Sequence, residues 1–256
     1  ITWATAEFIA QEEMDRDTGY WWSPDERFIA LQRTDESTVD IIPRLDITGG
    51  GAAVIEQRYP RAGRPNAVVE LWVQDVASGR RIKVDLGANA DIYLARVNWA
   101  TDGSVLYVQR QSRDQQTLDL LRVDPATGAS RVIATQTSDA WVPLTHDFKA
   151  LKDGRFIWSD ESTGWRHLYL YDADGRKVRA ITSGEWPVKA LNGVNEDTGE
   201  VFFTASMRDG REYPIEQQLF RASLTTDGAP VAVTPQGGWW SASMNRTATA
   251  YVGNYN

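Results

Sequence analysis

Hydrophobic and polar residues alternate along short segments of this chain, and polar turns separate the segments. Residues 70–75, 119–124 and 167–172 alternate in this way before the turns Ser78-Gly79, Thr127-Gly128 and Asp174-Gly175. Alternation with a period of two is typical of β-strands, because successive side chains of a strand point to opposite faces. Together with glycine-containing turns, it predicts β-hairpins and an all-β protein.

These segments recur as a unit of roughly 45–50 residues, the range of four-stranded propeller blades. Each unit also carries an apolar run after a polar turn, as at residues 28–31, 105–108 and 156–158. Four units and the start of a fifth predict a partial β-propeller of four-stranded antiparallel blades, about half of a large ring. A stack of β-sandwich domains is the alternative, and the lack of linkers between units argues against it.

The predicted organisation follows from these repeats. A strand and a charged helical insert occupy residues 1–20, and the predicted blades are 21–87 with a hairpin arm at 37–66, 97–133, 146–182, 188–235, and the start of a further blade at 238–256. Because the chain begins at Ile1 and ends inside a predicted strand, we expect it to be a segment of a longer protein.

The hairpin arm is predicted from two apolar-rich strands that flank Gly49-Gly50-Gly51. An arm of this length cannot bury both of its faces against its own blade. Left exposed, its edges would invite pairing with other chains, and pairing with a second copy would make it an oligomer contact. A mobile surface loop is the alternative interpretation.

Composition and charge exclude several classes of function. The net charge of −8 disfavours nucleic acid and anionic membranes as partners, and it is compatible with a cationic ligand. The absence of cysteine excludes disulfides, thiolate metal sites and a cysteine nucleophile. Eleven tryptophans recur at similar points of successive units, which indicates packing between strands.

Familiar catalytic motifs are missing from the sequence. It contains no Gly-x-Ser-x-Gly, His-Glu-x-x-His, phosphate-binding glycine loop or EF-hand loop. His146 precedes Asp147, but no serine in a nucleophile turn accompanies this pair. His167 lies in an alternating segment, where we expect it to be packed or hydrogen-bonded. We therefore predict no catalytic residue, cofactor or metal site within this chain.

Glu12 and Glu13 are the remaining candidates for chemistry. They lie in a short segment, residues 10–16, with helical propensity. Adjacent carboxylates repel unless a cation lies between them, and a peptide's α-ammonium offers unit charge and three donors. Since neighbouring helical positions do not face the same way, the pair must lie at a helix end or bracket its ligand. The alternative is an ordinary solvated helix face.

Several motifs occur in the order found in one known family. They are Gln11-Glu12-Glu13, Trp21-Trp22-Ser23-Pro24, Tyr59-Pro60-Arg61-Ala62-Gly63, Val97-Asn98-Trp99-Ala100, Gly164-Trp165-Arg166-His167-Leu168 and Ile181-Thr182-Ser183-Gly184-Glu185-Trp186. With them the chain resembles the N-terminal propeller region of the dipeptidyl peptidase IV family, in the prolyl oligopeptidase superfamily of serine peptidases. The phenylalanine–arginine pair that lines the pocket of the mammalian enzyme has no clear counterpart at residues 141–148.

The resemblance implies an eight-bladed propeller, of which this chain would be about half, joined to an α/β-hydrolase domain that carries the catalytic triad. It implies that Glu12 and Glu13 bind the N-terminal ammonium of a peptide substrate. It also implies a homodimer formed through the arm, here residues 37–63, and a periplasmic or secreted location.

The resulting prediction is the substrate-selecting propeller of a serine dipeptidyl aminopeptidase that releases Xaa-Pro or Xaa-Ala dipeptides. This segment would be inactive alone, because it contributes no nucleophile. A non-catalytic protein-interaction propeller is the alternative, and an unrelated binding propeller would require the Glu12–Glu13 pair to be coincidental. Continuation of the gene into a strand–Gly-x-Ser-x-Gly–helix segment would discriminate between them.

Overall fold

The computed structural model describes residues 1–207 and 216–256, and within them every regular element except one short helix is a β-strand. The predicted blade 188–235 includes residues 208–215, which lie outside the described part. The chain divides into two compact units, Ile1–Leu144 and Thr145–Asn256. The strands form separate antiparallel sheets, of which three have four strands, one has five and two are two-stranded hairpins; this confirms the predicted partial propeller with a short helix and a hairpin arm.

The first unit contains the helix, the arm and two sheets. Its elements are β1 (Thr2–Trp3), α1 (Phe8–Glu13), β2 (Tyr20–Trp22), β3 (Phe28–Asp35), β4 (Ile41–Thr48), β5 (Gly51–Arg58), β6 (Val68–Asp75), β7 (Arg81–Lys83), β8 (Ile92–Trp99), β9 (Leu106–Ser112), β10 (Thr117–Val123) and β11 (Ser130–Thr137). One sheet has the order β1-β3-β6-β7, with β2 also paired to β3, and the other has the order β11-β10-β9-β8.

The core of the first unit lies between these two sheets. Leu71 of β6, Leu94 of β8 and Leu106 of β9 are fully buried there with other aliphatic side chains. Trp99 stacks on Phe28 with ring centroids 6.2 Å apart. Alternating strand residues therefore supply the apolar surface that holds neighbouring blades together.

The second unit contains two four-stranded sheets and a separate hairpin. Its strands are β12 (Phe148–Ala150), β13 (Phe156–Asp160), β14 (His167–Tyr171), β15 (Lys177–Ala180), β16 (Val188–Asn195), β17 (Glu200–Ala205), β18 (Gln218–Ser223), β19 (Val231–Ala232), β20 (Trp240–Met244) and β21 (Tyr251–Tyr255). Consecutive strands pair within each sheet, and β20 pairs with β21. Phe203 is fully buried between Trp186 and Phe220, with ring centroids at 6.1 and 5.9 Å.

The tryptophans follow the packing prediction only in part. Trp158 is buried, and Trp99 and Trp186 pack against the cores. Trp22 and Trp141 are instead largely exposed. Recurrence along the sequence indicated the packing positions, but it did not separate the inward-facing rings from those at the surface.

The helix differs from the predicted one in its bounds. It spans Phe8–Glu13 rather than residues 10–16. Asp15 has a φ of 51°, in the left-handed region, so the helix cannot continue through it. The Arg16 N–H returns to the Ala10 carbonyl at 3.1 Å and closes the last turn. Helical propensity located the segment, but the end of the helix depends on this local conformation.

Candidate functional site

Helix α1 is attached to the first unit by a small apolar face. Ala10 of α1 is buried in one cluster with Ala6, which precedes the helix, Met14, which directly follows it, and Tyr93 of β8. Burying them turns the opposite side of α1 toward solvent, and that side carries Gln11, Glu12 and Glu13 as exposed residues.

Glu12 and Glu13 are the last two residues of α1. The structure therefore places the pair at a helix end, one of the two arrangements that the sequence allowed. Their charges repel each other, and the carbonyl end of a helix is unfavourable for carboxylates. Neither side chain forms a hydrogen bond or ion pair with any residue in 1–207 or 216–256. A cation bound between them would relieve both penalties.

A buried polar network closes the segment that carries this pair. Arg16 Nη2 forms an ion pair with Glu7 Oε2 at 3.3 Å, and both side chains are about 95 % buried. Gln32 of β3 donates from Nε2 to the same Glu7 oxygen at 2.6 Å and to Thr34 Oγ1 at 2.8 Å. Glu7 takes the N-cap position of α1 without capping it, because its carboxylate is directed to Arg16 and Gln32.

Arg16 also connects the insert to β8 of the neighbouring sheet. Its Nη2 donates to the Leu94 carbonyl at 3.0 Å, and its Nη1 donates to the Thr18 carbonyl at 2.8 Å. The pairing of β8 with β9 shifts register between Leu94 and Arg96, which marks a β-bulge at Ala95. Bulges interrupt the regular ladder and redirect side chains. Here the bulge lies where the insert meets the blade.

The base of the arm lies beside the start of α1. Phe8 packs edge-on against Tyr59, with ring centroids 5.2 Å apart. Arg58 donates to the carbonyls of Glu36 and Val39, both at 2.8 Å. The arm therefore has an anchored base next to the helical insert.

The outer part of the arm is exposed. Leu45, Ile47 and Val54 are each at least 60 % accessible. The register pairs Leu45 with Val54 and Ile47 with Ala52, so these four side chains lie on one face of the hairpin. This face is an apolar surface that the first unit leaves uncovered.

The structure places His167 in a strand and buries Asp147, the neighbour of His146. His167 is buried in β14, and its ring nitrogens contact Thr182 Oγ1 at 3.0 Å and the Gly184 carbonyl at 2.9 Å. The expected packed histidine is thereby confirmed. Asp147 accepts a hydrogen bond from the Leu191 amide at 2.7 Å, and burial raises the pKa of its carboxyl group.

Over residues 1–207 and 216–256, no three histidine or acidic side chains lie close enough together to hold a metal ion. The only helix in those ranges, α1, is far too short to cross a bilayer.

Glu7, Arg16 and Gln32 were not anticipated from the sequence. Charged and amide side chains in polar segments are mostly exposed, so nothing local indicated that these three are buried together. The one available signal was the position of Arg16, three residues after the carboxylate pair. The partner residue Gln32 lies in a different element, and only the folded chain brings it to Glu7.

The sequence of this chain is similar to those of known proteins. The family model for the dipeptidyl peptidase IV (DPP IV) N-terminal region matches residues 1–256. A probable dipeptidyl-aminopeptidase B of Coccidioides posadasii is 29% identical over 94% of this chain and 29% of its own length. A dipeptidyl peptidase 4 of Arthroderma otae is 25% identical over 97% of this chain and 34% of its own length.

Two solved structures are also similar to this chain. The crystal structure of Porphyromonas gingivalis dipeptidyl peptidase 4 matches with a TM-score of 0.88 and 26% identity, over 99% of this chain and 35% of the other. A putative dipeptidyl aminopeptidase IV from Bacteroides ovatus matches with a TM-score of 0.84 and 25% identity, over 99% of this chain and 38% of the other. The chain thus spans between a quarter and two fifths of the proteins it matches.

Proposed function

The chain belongs to the family of dipeptidyl peptidase IV N-terminal regions, and we propose that it is the substrate-selecting propeller portion of a serine dipeptidyl aminopeptidase. The complete enzyme would release Xaa-Pro or Xaa-Ala dipeptides from peptides with a free N-terminus. An α/β-hydrolase domain of the same chain would supply the serine nucleophile and its base. This segment would then be inactive alone, and its role would be to select and position the substrate.

Glu12 and Glu13 would bind the α-ammonium of the substrate. The observation that carries this proposal is the exposed carboxylate pair at the end of α1, where neither charge has a partner in the described part of the chain. Charge-assisted hydrogen bonds from one ammonium to both carboxylates would relieve their repulsion. An anchor for the N-terminus fixes how far the chain extends toward the nucleophile. Such an anchor explains cleavage after two residues rather than at arbitrary positions.

The test uses the full-length enzyme and two chromogenic Xaa-Pro substrates, one with a free amine and one N-acetylated. Glu12→Gln and Glu13→Gln keep the size of each side chain and remove its charge. Each should lower kcat/KM for the free-amine substrate roughly 30- to 900-fold. This corresponds to a loss of about 2–4 kcal/mol in transition-state stabilisation. The acetylated substrate should be affected little, since it presents no ammonium.

Glu185→Gln is the matched control, because Glu185 is an exposed glutamate in a bend before β16. It should leave both substrates unaffected. If the Glu12 and Glu13 variants keep the preference for a free amine, the pair is only a solvated helix face. If the wild-type enzyme cleaves neither substrate, the alternative of a non-catalytic interaction propeller replaces this proposal.

The arm would mediate a homodimer. Its exposed face of Leu45, Ile47, Ala52 and Val54 is the type of apolar surface that is covered in an oligomer. A second copy would present the same surface, as a two-fold contact requires. We further propose a periplasmic or secreted location for the enzyme, on the basis of its family alone.

A further inference from the structure

We infer that Arg16 is a positioning residue that holds the Glu12–Glu13 pair in place for substrate binding. The inference rests on the proposed function of that pair. Arg16 is oriented away from solvent and is buried with Glu7, so it acts on the substrate only through the backbone that carries the two carboxylates. Its importance follows from the short length of the helix and from the separate backbone segments that it connects.

Helix α1 is too short to be stable by itself. It has six residues, its N-cap residue forms no capping hydrogen bond, and its first turn contains no acidic residue. Isolated helices shorter than roughly 12–15 residues are marginal in water. Within the helix only Ala10 is fully buried, with Ile9 partly buried beside it, and an alanine buries little surface. The orientation of Glu12 and Glu13 therefore depends on polar contacts made elsewhere in the insert.

Arg16 supplies these contacts on both sides of the helix. Its pairing with Glu7 joins the residue before α1 to a residue shortly after it, and closes the segment into a loop. Its bond to the Thr18 carbonyl holds the chain that leaves the loop. With the segment closed in this way, the end of α1 has little freedom to turn.

The same guanidinium ties the loop to two different sheets. Its bond to the Leu94 carbonyl reaches β8, next to the bulge. Through Glu7 it is linked to Gln32 of β3. Three hydrogen bonds from one planar group need the fork of donors that arginine has and lysine lacks. The network therefore fixes the position of the pair relative to both blades of the first unit.

Stability alone does not account for this arrangement. A buried ion pair is often no more stabilising than well-packed apolar side chains of similar volume. In this network Arg16 Nε and Gln32 Oε1 are also buried without a hydrogen-bond partner. Each such unsatisfied group lowers the stability of the folded chain. Departures of this kind from optimal burial are expected where a protein has to hold a functional group in place.

The test is a double-mutant cycle in the full-length enzyme. Arg16→Met is combined with Glu12→Gln/Glu13→Gln, and the preference for a free-amine over an N-acetylated Xaa-Pro substrate is measured. A misplacement of about 1 Å at a binding group can cost roughly 100-fold, so we expect Arg16→Met to lower the preference by about 10- to 100-fold, mainly through KM. In the double-glutamine background the same substitution should change the preference less than about twofold.

Two milder variants separate an effect on substrate preference from a loss of folding. Arg16→Lys keeps the charge but cannot reach all three acceptors, and Glu7→Gln keeps the shape of the acceptor without its charge. Each should lower the preference by less than Arg16→Met while the enzyme stays folded. Arg110→Met is the matched control, because Arg110 also pairs with a carboxylate, Asp119, and a carbonyl, Leu86, in the first unit. It should lower thermal stability without changing the preference.

The outcomes separate this inference from the proposed function. If the Glu12 and Glu13 variants keep the free-amine preference, the function of the pair fails whatever Arg16 does. If they lose it but the Arg16 and Glu7 variants keep it, only the positioning role fails. Equal loss of activity toward both substrates would show that Arg16 is merely structural.

Discussion

The substitution Gly19→Ala tests how the helical insert is attached to its blade. It is buried where the chain leaving the insert passes the chain entering it. Its amide donates to the Ala4 carbonyl at 3.3 Å, and its carbonyl accepts from the Gln32 amide at 2.7 Å. A Cβ atom at this position would lie 2.6 Å from the Thr5 nitrogen and 2.8 Å from the Ala4 carbonyl carbon.

The loss of stability expected for Gly19→Ala can be estimated from these distances. The nearest contact would have to open from 2.6 Å to at least 3.4 Å to become ordinary, and the atoms that must move are backbone atoms. The φ of Gly19 lies outside the left-handed region, so alanine meets no conformational penalty and the effect is purely steric. Overpacking costs about 1–3 kcal/mol, and we expect about 2–3 kcal/mol because no flexible side chain can give way.

Hydrogen exchange measured by mass spectrometry on the full-length enzyme reports this change locally. A loss of about 2–3 kcal/mol should speed exchange roughly 30- to 160-fold in peptides that cover residues 1–22 and β3. Gly228→Ala is the control, since a Cβ there would meet no atom within 4 Å. Exchange at the wild-type rate in both variants would show that Gly19 is not in close contact with the backbone of residues 4–5.

Two further predictions concern other parts of the chain. Leu45→Ser/Ile47→Ser should convert a dimeric enzyme into monomers in sedimentation velocity without changing its thermal stability, because both side chains are exposed on the arm; an unchanged dimer would exclude this face as the contact. Asp160 is buried, which would raise its pKa, but hydrogen bonds from Lys177 and Ser162 outweigh burial and place the pKa below its usual value. The stability that this carboxylate contributes is therefore present above the unfolded-state pKa near 4 and is lost as pH falls through the folded-state pKa. Asp160→Asn should cost about 2–3 kcal/mol at pH 7 and progressively less below about pH 4, and an equal cost in thermal unfolding at pH 7 and pH 3 would contradict this assignment.

Much of the fold was predictable because its signals are local. Alternation within residues 119–124 and 167–172 follows from strand geometry, and β10 and β14 form there. The turns at Gly79 and Gly128 have φ values of 71° and 75°, which glycine adopts without strain. The arm is equally local, since two apolar strands around three glycines favour a hairpin, and β4 and β5 pair as one.

The ends of the helix and the burial of single side chains could not be predicted from local sequence signals. Residues 10–16 have helical propensity throughout, yet the helix ends at Glu13 because Asp15 turns into the left-handed region. The tryptophans were expected to pack between strands, yet Trp158 is buried whereas Trp141 is exposed. Such differences depend on which neighbours pack against a residue, and those neighbours come from distant parts of the chain.

The strands, the blade period and the presence of a carboxylate pair in a short helical insert are predictable, because each depends on residues close together along the chain. How that pair is held depends on tertiary contacts. Glu7, Arg16 and Gln32 are ordinary polar residues in the sequence, and they become a buried network only when β3 and β8 meet the insert. Burial and hydrogen bonding between distant segments are properties of the folded chain, so no local pattern could predict them.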